Sequence, residues 1–327
     1  VLEGMGAMKR LIIPLSLLVI VGVYFGVSAV LYSRLSSVAP YCGGAYADNT
    51  PAQFSAEPLK TGLDTTPYWM PSYETVEINS RDAGITVNAW FISSGQANAP
   101  TILITHGLGA GANDCKRNPR ALMIAGMLHH GGYDVLLIDV REHGDSTVEN
   151  GHWGGGSEEY RDILGAWDWL VNDKGITPER IGLVGYSGGS AATMIAFGEE
   201  PRVAAVWLDS VFADLNVAIS DYLTRNNIPT IFESGGLLIG RLLGDDMTAY
   251  SPIAEVANFA GRPVFITHSV DDQALSVDYA RTLTQAIRTA GGRVEYWETE
   301  GSGHVQYVFD HPEAYEQHLI QFFDQAL

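Results

Sequence analysis

Hydrophobic and polar positions from residue 74 onwards alternate in blocks that predict strands and helices in turn. Short apolar runs such as Thr101–Thr105 are typical of strands covered on both faces of a parallel sheet. Asn118 followed by Pro119 is typical of a helix start, because asparagine caps the first turn and proline fits it. The chain therefore predicts an α/β fold with a mostly parallel eight-stranded sheet and helices on both faces. The predicted strands are 74–79, 85–92, 101–105, 133–140, 181–185, 203–208, 264–268 and 293–299, and the predicted helices are about 118–130, 157–173, 188–198, 277–290 and 312–326.

One stretch, residues 209–262, interrupts this alternation. It contains the apolar, glycine-broken sequence IPTIFESGGLLIGRLLG at 228–244 and lies between two predicted strands. Because insertions at the carboxyl ends of sheet strands border ligand crevices, we interpret the stretch as a lid over a site. An additional pair of core helices is the alternative.

An apolar segment near the N-terminus, Leu11–Tyr32, contains no charged residue over twenty-two positions. A helix of that length crosses the roughly 30 Å hydrocarbon layer of a bilayer. Two basic residues precede the segment and one follows it closely, so the positive-inside bias predicts a single-pass cell-membrane anchor. Residues 1–10 would be cytoplasmic, with a stem at 33–73 and the domain at 74–327 on the extracytoplasmic side. A cleaved signal peptide is the alternative, although its apolar region normally has about 7–15 residues.

Composition and charge narrow the class of protein. Of the 327 residues, 46 % are hydrophobic and 17 % charged, which excludes a disordered chain. The 19 basic residues face 38 acidic ones, for a formal net charge of −19, so no basic stripe is available to bind nucleic acid. The excess of acidic residues lies after the apolar segment, in the predicted extracytoplasmic part of the chain. We expect this negative charge to disfavour anionic substrates and anionic lipid surfaces.

The chain contains two cysteines, Cys42 and Cys115. Two are too few for a disulfide scaffold or a thiolate metal cluster. We favour two unpaired thiols, with one disulfide as the alternative in an oxidising compartment. His143 and His152 lie near acidic residues but without a third ligand at metal spacing, so no metal site is predicted.

The sequence GYSGG at 185–189 provides the first chemical signal, because it stands where a predicted strand meets a predicted helix. The G-x-S-x-G pattern alone is weak, but a strand–turn–helix context would present the Ser187 hydroxyl in a sharp turn flanked by glycines. The N–H of Gly188, at the start of the helix, would point towards a developing oxyanion. Ser187 is therefore a candidate nucleophile.

A serine nucleophile needs a base, and the base needs an orienting acid. Asp271 and Asp272 follow the predicted strand 264–268, and His304 lies in a glycine- and serine-rich loop after the strand 293–299. An acidic residue in such a loop is usually solvent-exposed and has no catalytic role. The order Ser, Asp, His, with each residue after a strand, nevertheless favours a catalytic triad.

Together these motifs resemble the alpha/beta-hydrolase superfamily. The sequence HG at 106–107 looks like its oxyanion-loop motif, and DVREHGDS at 139–146 is similar to its D-x-R-G-H-G-x-S segment, with Glu142 in place of glycine. The sequences SPI at 251–253 and RPVFITH at 262–268 look like those of bacterial membrane-anchored and serine-aminopeptidase-like branches. The resemblance extends over nearly the whole predicted extracytoplasmic domain.

The resemblance implies an alpha/beta-hydrolase fold and serine-hydrolase chemistry that needs no cofactor. Ser187 would be the nucleophile, His304 the general base and then acid, and Asp272 the orienting carboxylate. The N–H groups of Leu108 and Gly188 would form the oxyanion hole.

We therefore expect a membrane-anchored serine hydrolase that cleaves small-molecule carboxylic esters through an acyl-enzyme. The apolar lid and the anchor favour lipid-like or acyl esters, and a serine aminopeptidase or amidase is the first alternative. A non-catalytic accessory subunit of a membrane complex is the second. The pattern GLGAGA at 107–112 also matches a dinucleotide-binding loop, but the next helix begins at Asn118, too far along to face a pyrophosphate. The sequence leaves the oligomeric state open.

Overall fold

The computed structural model of the protein describes residues 2–38, 42, 44, 46–109 and 114–327. Their eight strands form one sheet in the order β1-β2-β4-β3-β5-β6-β7-β8. The first two pairings along the sheet, β1 with β2 and β2 with β4, are antiparallel, and all others are parallel. The predicted fold class is confirmed. The strands are β1 (Glu74–Asn79), β2 (Thr86–Ile92), β3 (Thr101–Thr105), β4 (Asp134–Ile138), β5 (Ile181–Tyr186), β6 (Ala205–Asp209), β7 (Pro263–Ser269) and β8 (Arg293–Thr299).

Helices cover both faces of the sheet because successive side chains of each central strand point to opposite faces. In β3, Leu103 belongs to the apolar core on one face, while Ile102 and Ile104 belong to the core on the other. The first core includes residues of the helices at 160–172, 188–199 and 278–289, and the second includes residues of the helices at 119–130 and 312–326. The helices are α1 (Leu2–Ser36), α2 (Pro119–His130), α3 (Tyr160–Asn172), α4 (Gly188–Glu199), α5 (Leu215–Arg225), α6 (Glu233–Leu243), α7 (Pro252–Glu255), α8 (Asp278–Thr289), α9 (Tyr307–Asp310) and α10 (Pro312–Ala326).

The register of the parallel strands brings their carboxyl ends to one edge. Thr105 of β3 pairs with Gly185 of β5, and Asp209 of β6 pairs with Tyr186 on one side and Thr267 of β7 on the other. The loops that follow these strands therefore lie side by side. Ser187 follows β5 and Asp272 follows β7. His304 follows β8, whose Thr299 pairs with Ser269 of β7, so it lies at the same edge.

The insertion between β6 and β7 contains α5, α6 and α7. Helix α6 buries mainly its glycines, and a Cβ atom on Gly235 would overlap the Ser28 hydroxyl of α1, so the absence of side chains lets the two helices approach closely. In contrast to these glycines, Leu238, Leu242 and Leu243 of α6 are exposed. An ordinary pair of core helices would bury such leucines.

Helix α1 is longer than the predicted 11–32 segment and does not end where the apolar run ends. Among the described residues it is the one helix long and apolar enough to cross a membrane, with a mean hydropathy of 2.0 over Ser16–Ser36. Its leucines and valines from residue 17 to residue 30 are exposed, whereas Leu31 and Tyr32 are buried against the domain. Only the last turns of α1 are therefore part of the folded domain.

The segment between α1 and β1 packs against the sheet domain instead of standing free. Phe54 and Met70 are buried in the core on the α2 face. Cys42 forms a disulfide with Cys115, 73 residues further along the chain. The expectation of two unpaired thiols is wrong, because the segment folds back and brings the cysteine Cα atoms to 5.5 Å, a distance usual for a disulfide.

Candidate active site

Ser187 occupies the turn from β5 into α4 with φ 55° and ψ −133°. A non-glycine residue in such a conformation costs about 1–3 kcal/mol, so the surrounding structure must hold it there. The Ser187 N–H donates to the Asp209 carbonyl at 2.8 Å, and a Cβ atom on Gly188 would overlap the Leu108 carbonyl oxygen. Glycine after the serine thus allows the turn to pack against the loop that follows β3.

The three candidate triad residues form a continuous chain of hydrogen bonds. His304 Nε2 lies 2.8 Å from the Ser187 hydroxyl oxygen, and His304 Nδ1 lies 2.7 Å from Asp272 Oδ2. With the imidazole neutral, Nδ1–H donates to the carboxylate and Nε2 accepts from the serine hydroxyl. The side chain of Asp272 is fully buried, whereas that of His304 is 25 % exposed, so the base faces the space where substrate would bind.

Asp272 is held as a carboxylate by its hydrogen bonds. Its Oδ1 accepts the N–H groups of Ala274 and Leu275 at 2.8 and 2.9 Å. Burial works to raise the pKa of Asp272, but hydrogen bonds from His268 and His304 outweigh it and hold that pKa well below its usual range. Asp272 is therefore ionised near neutral pH.

His268 is a site residue that the sequence reasoning missed. Its Nε2 lies 3.1 Å from Asp272 Oδ2 and 3.2 Å from the Leu275 carbonyl oxygen, and its side chain is fully buried. The position of His268 in β7, four residues before the candidate acid, was a signal available in the sequence. Asp271, the other candidate acid, points elsewhere and accepts the Gly301 N–H at 2.6 Å.

The loop after β3 runs beside the nucleophile turn and contains the predicted oxyanion donor Leu108. His106 shapes this loop: its Nδ1 lies 2.8 Å from the Gly107 carbonyl oxygen, and its Nε2 accepts the Val140 N–H at 3.4 Å. Burial lowers the pKa of His106 to about 3, so the ring is neutral at pH 7. The Gly188 N–H is the first of α4 and has no acceptor within the helix, which leaves it available to an oxyanion.

Two cavities reach the pair Ser187 and His304. The larger, here called the lid cavity, has a volume of about 240 Å³. It is bounded by the end of α1, by α5 and by the loops after β5, β6 and β7. Most of the side chains that line it are apolar. Besides Ser187 and His304, the lining residues are Arg34, Leu35, Leu108, Trp153, Gly188, Phe212, Leu215, Ala218, Ile219, Tyr222, Ala274 and Leu275. The insertion thus covers the site, as a lid would.

The smaller cavity, here called the α2 cavity, has a volume of about 150 Å³ and lies towards α2 and the loop after β3. It contains charged side chains that the sequence reasoning did not select. Besides Ser187 and His304 its lining is Gly107, Leu108, Asp114, Arg120, Tyr186 and Val305.

The remaining histidine and glycine motifs have structural roles where they are described. His143 Nδ1 lies 2.9 Å from the Arg141 carbonyl oxygen, and His152 Nδ1 lies 2.9 Å from the Ser36 hydroxyl oxygen. Residues 110–112 of the glycine pattern at 107–112 lie outside the described residues. Helix α2 begins at Pro119, capped by Asn118, as predicted.

The sheet order, the lid insertion and the loops that carry Ser187, Asp272 and His304 define an α/β hydrolase. The chain belongs to the prolyl oligopeptidase family, whose model matches residues 124–327. The predicted alpha/beta-hydrolase superfamily is therefore confirmed.

Two known proteins are similar in sequence to part of this chain. Human Protein ABHD12B is 28 % identical over 210 residues, which is 62 % of this chain and 53 % of that protein. The Multifunctional-autoprocessing repeats-in-toxin of Vibrio cholerae is 30 % identical over 143 residues, 41 % of this chain and 3 % of the toxin. The chain thus matches about half of the human relative and a small part of the toxin.

Two solved structures show the same fold. The Pyrococcus furiosus esterase Pf2001 has a TM-score of 0.65 at 18 % identity, covering 85 % of this chain and 99 % of its own. The Pyrococcus horikoshii acylaminoacyl peptidase has a TM-score of 0.58 at 18 % identity, covering 78 % of this chain and 42 % of its own. Identities this low show that the fold is shared but do not indicate which substrate this chain binds.

Proposed function

We propose that the protein is a serine hydrolase that cleaves carboxylic esters through the triad Ser187, His304 and Asp272. The observation that carries the proposal is the unbroken pair of hydrogen bonds, 2.8 and 2.7 Å long, from the serine hydroxyl through the imidazole to a buried carboxylate. A strained serine at a strand-to-helix turn supports it further, because such strain persists where function requires it.

In this mechanism Ser187 Oγ attacks the ester carbonyl carbon while its proton passes to His304 Nε2. As the carbonyl oxygen becomes negatively charged, it accepts hydrogen bonds from the N–H groups of Leu108 and Gly188. Asp272 stabilises the imidazolium that forms at His304. The carbon–oxygen bond to the alcohol then breaks, and His304 gives its proton to the leaving oxygen. Water attacks the acyl-enzyme by the same route and releases the carboxylic acid and free Ser187.

The lid cavity favours an acyl group as its occupant. Its walls are mostly aliphatic and aromatic, and its volume of about 240 Å³ is slightly below the usual ~300–1,000 Å³ of small-molecule sites. A single hydrocarbon chain fits such a space better than an extended peptide does. The match to a peptidase family nevertheless keeps amide hydrolysis as the second candidate function.

A fluorophosphonate probe tests the serine-hydrolase proposal. We expect the full-length protein to be labelled at Ser187 and Ser187→Ala to remain unlabelled. Ser55→Ala is the control, because it removes an exposed hydroxyl that accepts the Glu57 N–H. It should be labelled like the wild type. A panel of p-nitrophenyl esters and aminoacyl amides then separates the two candidate substrates. Absence of labelling in the folded wild type would remove the proposal.

We also infer that α1 is a retained membrane anchor. Hydrogen bonds join its last turns to the lid and to the loop before α3. Ser28 Oγ donates to the Phe232 carbonyl at 3.3 Å, and the backbone N–H of Trp153 donates to the Ser36 carbonyl at 2.7 Å. Tyr32 donates to the buried carboxylate of Asp245. Removal of the helix as a signal peptide would break these contacts and expose the core beneath them.

The exposed leucines of α6 support a lid that lies at the membrane surface. They are exposed, like the leucines and valines at 17–30 of α1, and α6 packs against α1. An apolar patch of this kind on a membrane protein favours contact with the lipid interface. An acyl ester held in the bilayer would then have a short path to the lid cavity.

Fractionation tests the anchor. A C-terminally tagged full chain expressed in bacteria should stay in the membrane pellet after an alkaline carbonate wash, with the mass of the uncleaved chain. External protease applied to spheroplasts should digest the tagged domain if it is extracytoplasmic. A soluble product that begins beyond Tyr32 would contradict retention of the helix.

A further inference from the structure

The α2 cavity adjoins the nucleophile and holds one carboxylate and one guanidinium. Tyr186, the residue before the nucleophile, donates its hydroxyl to Asp114 Oδ1 at 3.1 Å. Arg120 is held by the loop after His304, since its Nε donates to the Val305 carbonyl at 3.0 Å. Both charged side chains are therefore fixed by residues adjacent in sequence to the triad.

Asp114 and Arg120 line the same cavity without forming an ion pair with each other. Burial raises the pKa of Asp114 to about 6, opposed by the positive charge of Arg120, so the carboxyl is ionised at neutral pH. The cavity thus presents a hydrogen-bond acceptor and a hydrogen-bond donor of opposite charge in its lining.

Such a pair selects against ions of either sign. A cationic group meets the guanidinium of Arg120, and an anionic group meets the carboxylate of Asp114, so each ionic ligand has one unfavourable neighbour. A hydroxyl satisfies both, because it donates to a carboxylate and accepts from a guanidinium. Two neighbouring hydroxyls would use both side chains at once.

We propose that the α2 cavity binds the leaving alcohol of the ester and selects a neutral alcohol that carries several hydroxyls. The inference rests on the serine-hydrolase function proposed above. The acyl chain occupies the apolar lid cavity, the scissile carbonyl lies at Ser187, and the polyol lies between Asp114 and Arg120. Asp114 and Arg120 are then specificity residues and take no part in proton transfer.

Matched esters of one acid test this division. The glycerol monoester and the methyl ester of octanoic acid share the acyl chain and differ only in the leaving alcohol. We expect the full-length wild type to show a kcat/KM at least about tenfold higher for the glycerol ester, the value of one hydrogen bond to a charged group. Asp114→Asn and Asp114→Ala should each bring the ratio of the two kcat/KM values close to one.

Three controls make the outcome decisive. Asp48→Asn makes the same charge change at an exposed position and should leave the ratio of the two esters unchanged. The fluorophosphonate labelling rate reports on the triad, so an unlabelled wild type contradicts the proposed function, whereas a labelled enzyme with equal rates on both esters contradicts only the polyol site. A higher rate on choline octanoate than on the glycerol ester, lost in Asp114→Asn, would assign the cavity to a cationic alcohol and overturn the proposal.

Discussion

Replacing Ser187 or His304 by alanine is expected to lower kcat for a carboxylic ester by about 10⁶-fold, and replacing both is expected to lower it little further. The two side chains act as one unit, because the hydroxyl becomes a nucleophile only as His304 Nε2, 2.8 Å away, takes its proton. Once either is absent, the other has no partner with which to react. What remains comes from the oxyanion donors and from binding.

The measurement is steady-state hydrolysis of a p-nitrophenyl ester by the two single variants and the double variant. Circular dichroism and thermal unfolding of each variant check the fold. If the two losses add, so that the double variant falls by the product of the single effects, the two residues act independently and the triad assignment is wrong.

The second large effect is expected at Asp272, where substitution by asparagine should lower kcat by about 10⁴-fold. The asparagine amide can donate to His304 Nδ1, which places the imidazole proton on Nε2 and prevents it from accepting the serine proton. Asparagine also provides no charge to stabilise the imidazolium. Because the pKa of Asp272 is held well below its usual range, its charge is constant near neutrality. Steady-state hydrolysis of the same p-nitrophenyl ester by the wild type and by Asp272→Asn measures the loss.

Asp271→Asn is the matched control for this prediction. It makes the same chemical change one residue earlier, at a carboxylate that accepts only the Gly301 N–H among the described contacts. An amide oxygen can accept that bond as well, so kcat should change by less than about tenfold. If instead Asp271→Asn proves the more damaging variant, the orienting acid has been misassigned.

The fold and the positions of the candidate triad residues could be predicted because they depend on local patterns. A strand buried on both faces is visible as a short apolar run, and parallel strands bring their carboxyl-end loops together whatever the sequence between them. The candidate residues Ser187, Asp272 and His304 could therefore be selected before their distances were known. Their roles await the experiments above.

The remaining features depend on contacts between distant parts of the chain. Tyr32 and Asp245 are 213 residues apart, and no periodicity in either segment indicates their hydrogen bond. The disulfide was mispredicted for the same reason, since its formation depends on how the segment after α1 folds back. Asp114 and Arg120 likewise became candidates only when the structure placed both beside the nucleophile.

Glu142, which replaces the glycine of the superfamily motif, adopts a positive φ of 66°. Its carboxylate accepts the N–H groups of Glu149, Asn150 and Gly151 at 2.8, 3.1 and 2.7 Å. The Gly151 carbonyl in turn accepts the Val38 N–H at 3.0 Å. Glu142, which departs from the motif, thus fixes the loop at 149–151, and this loop in turn contacts the chain just after α1.

Leu35 lies in the last turn of α1 and in the wall of the lid cavity. In the anchor role proposed above, the same helix would hold the protein in a bilayer and close one side of its cavity. Expression of the domain from residue 37 onwards, the usual way to obtain a soluble sample, would retain the sheet and the triad but leave that side open. Substrate profiles measured on such a fragment would describe a different cavity from that of the whole chain. A foreign transmembrane helix would restore attachment without restoring the wall.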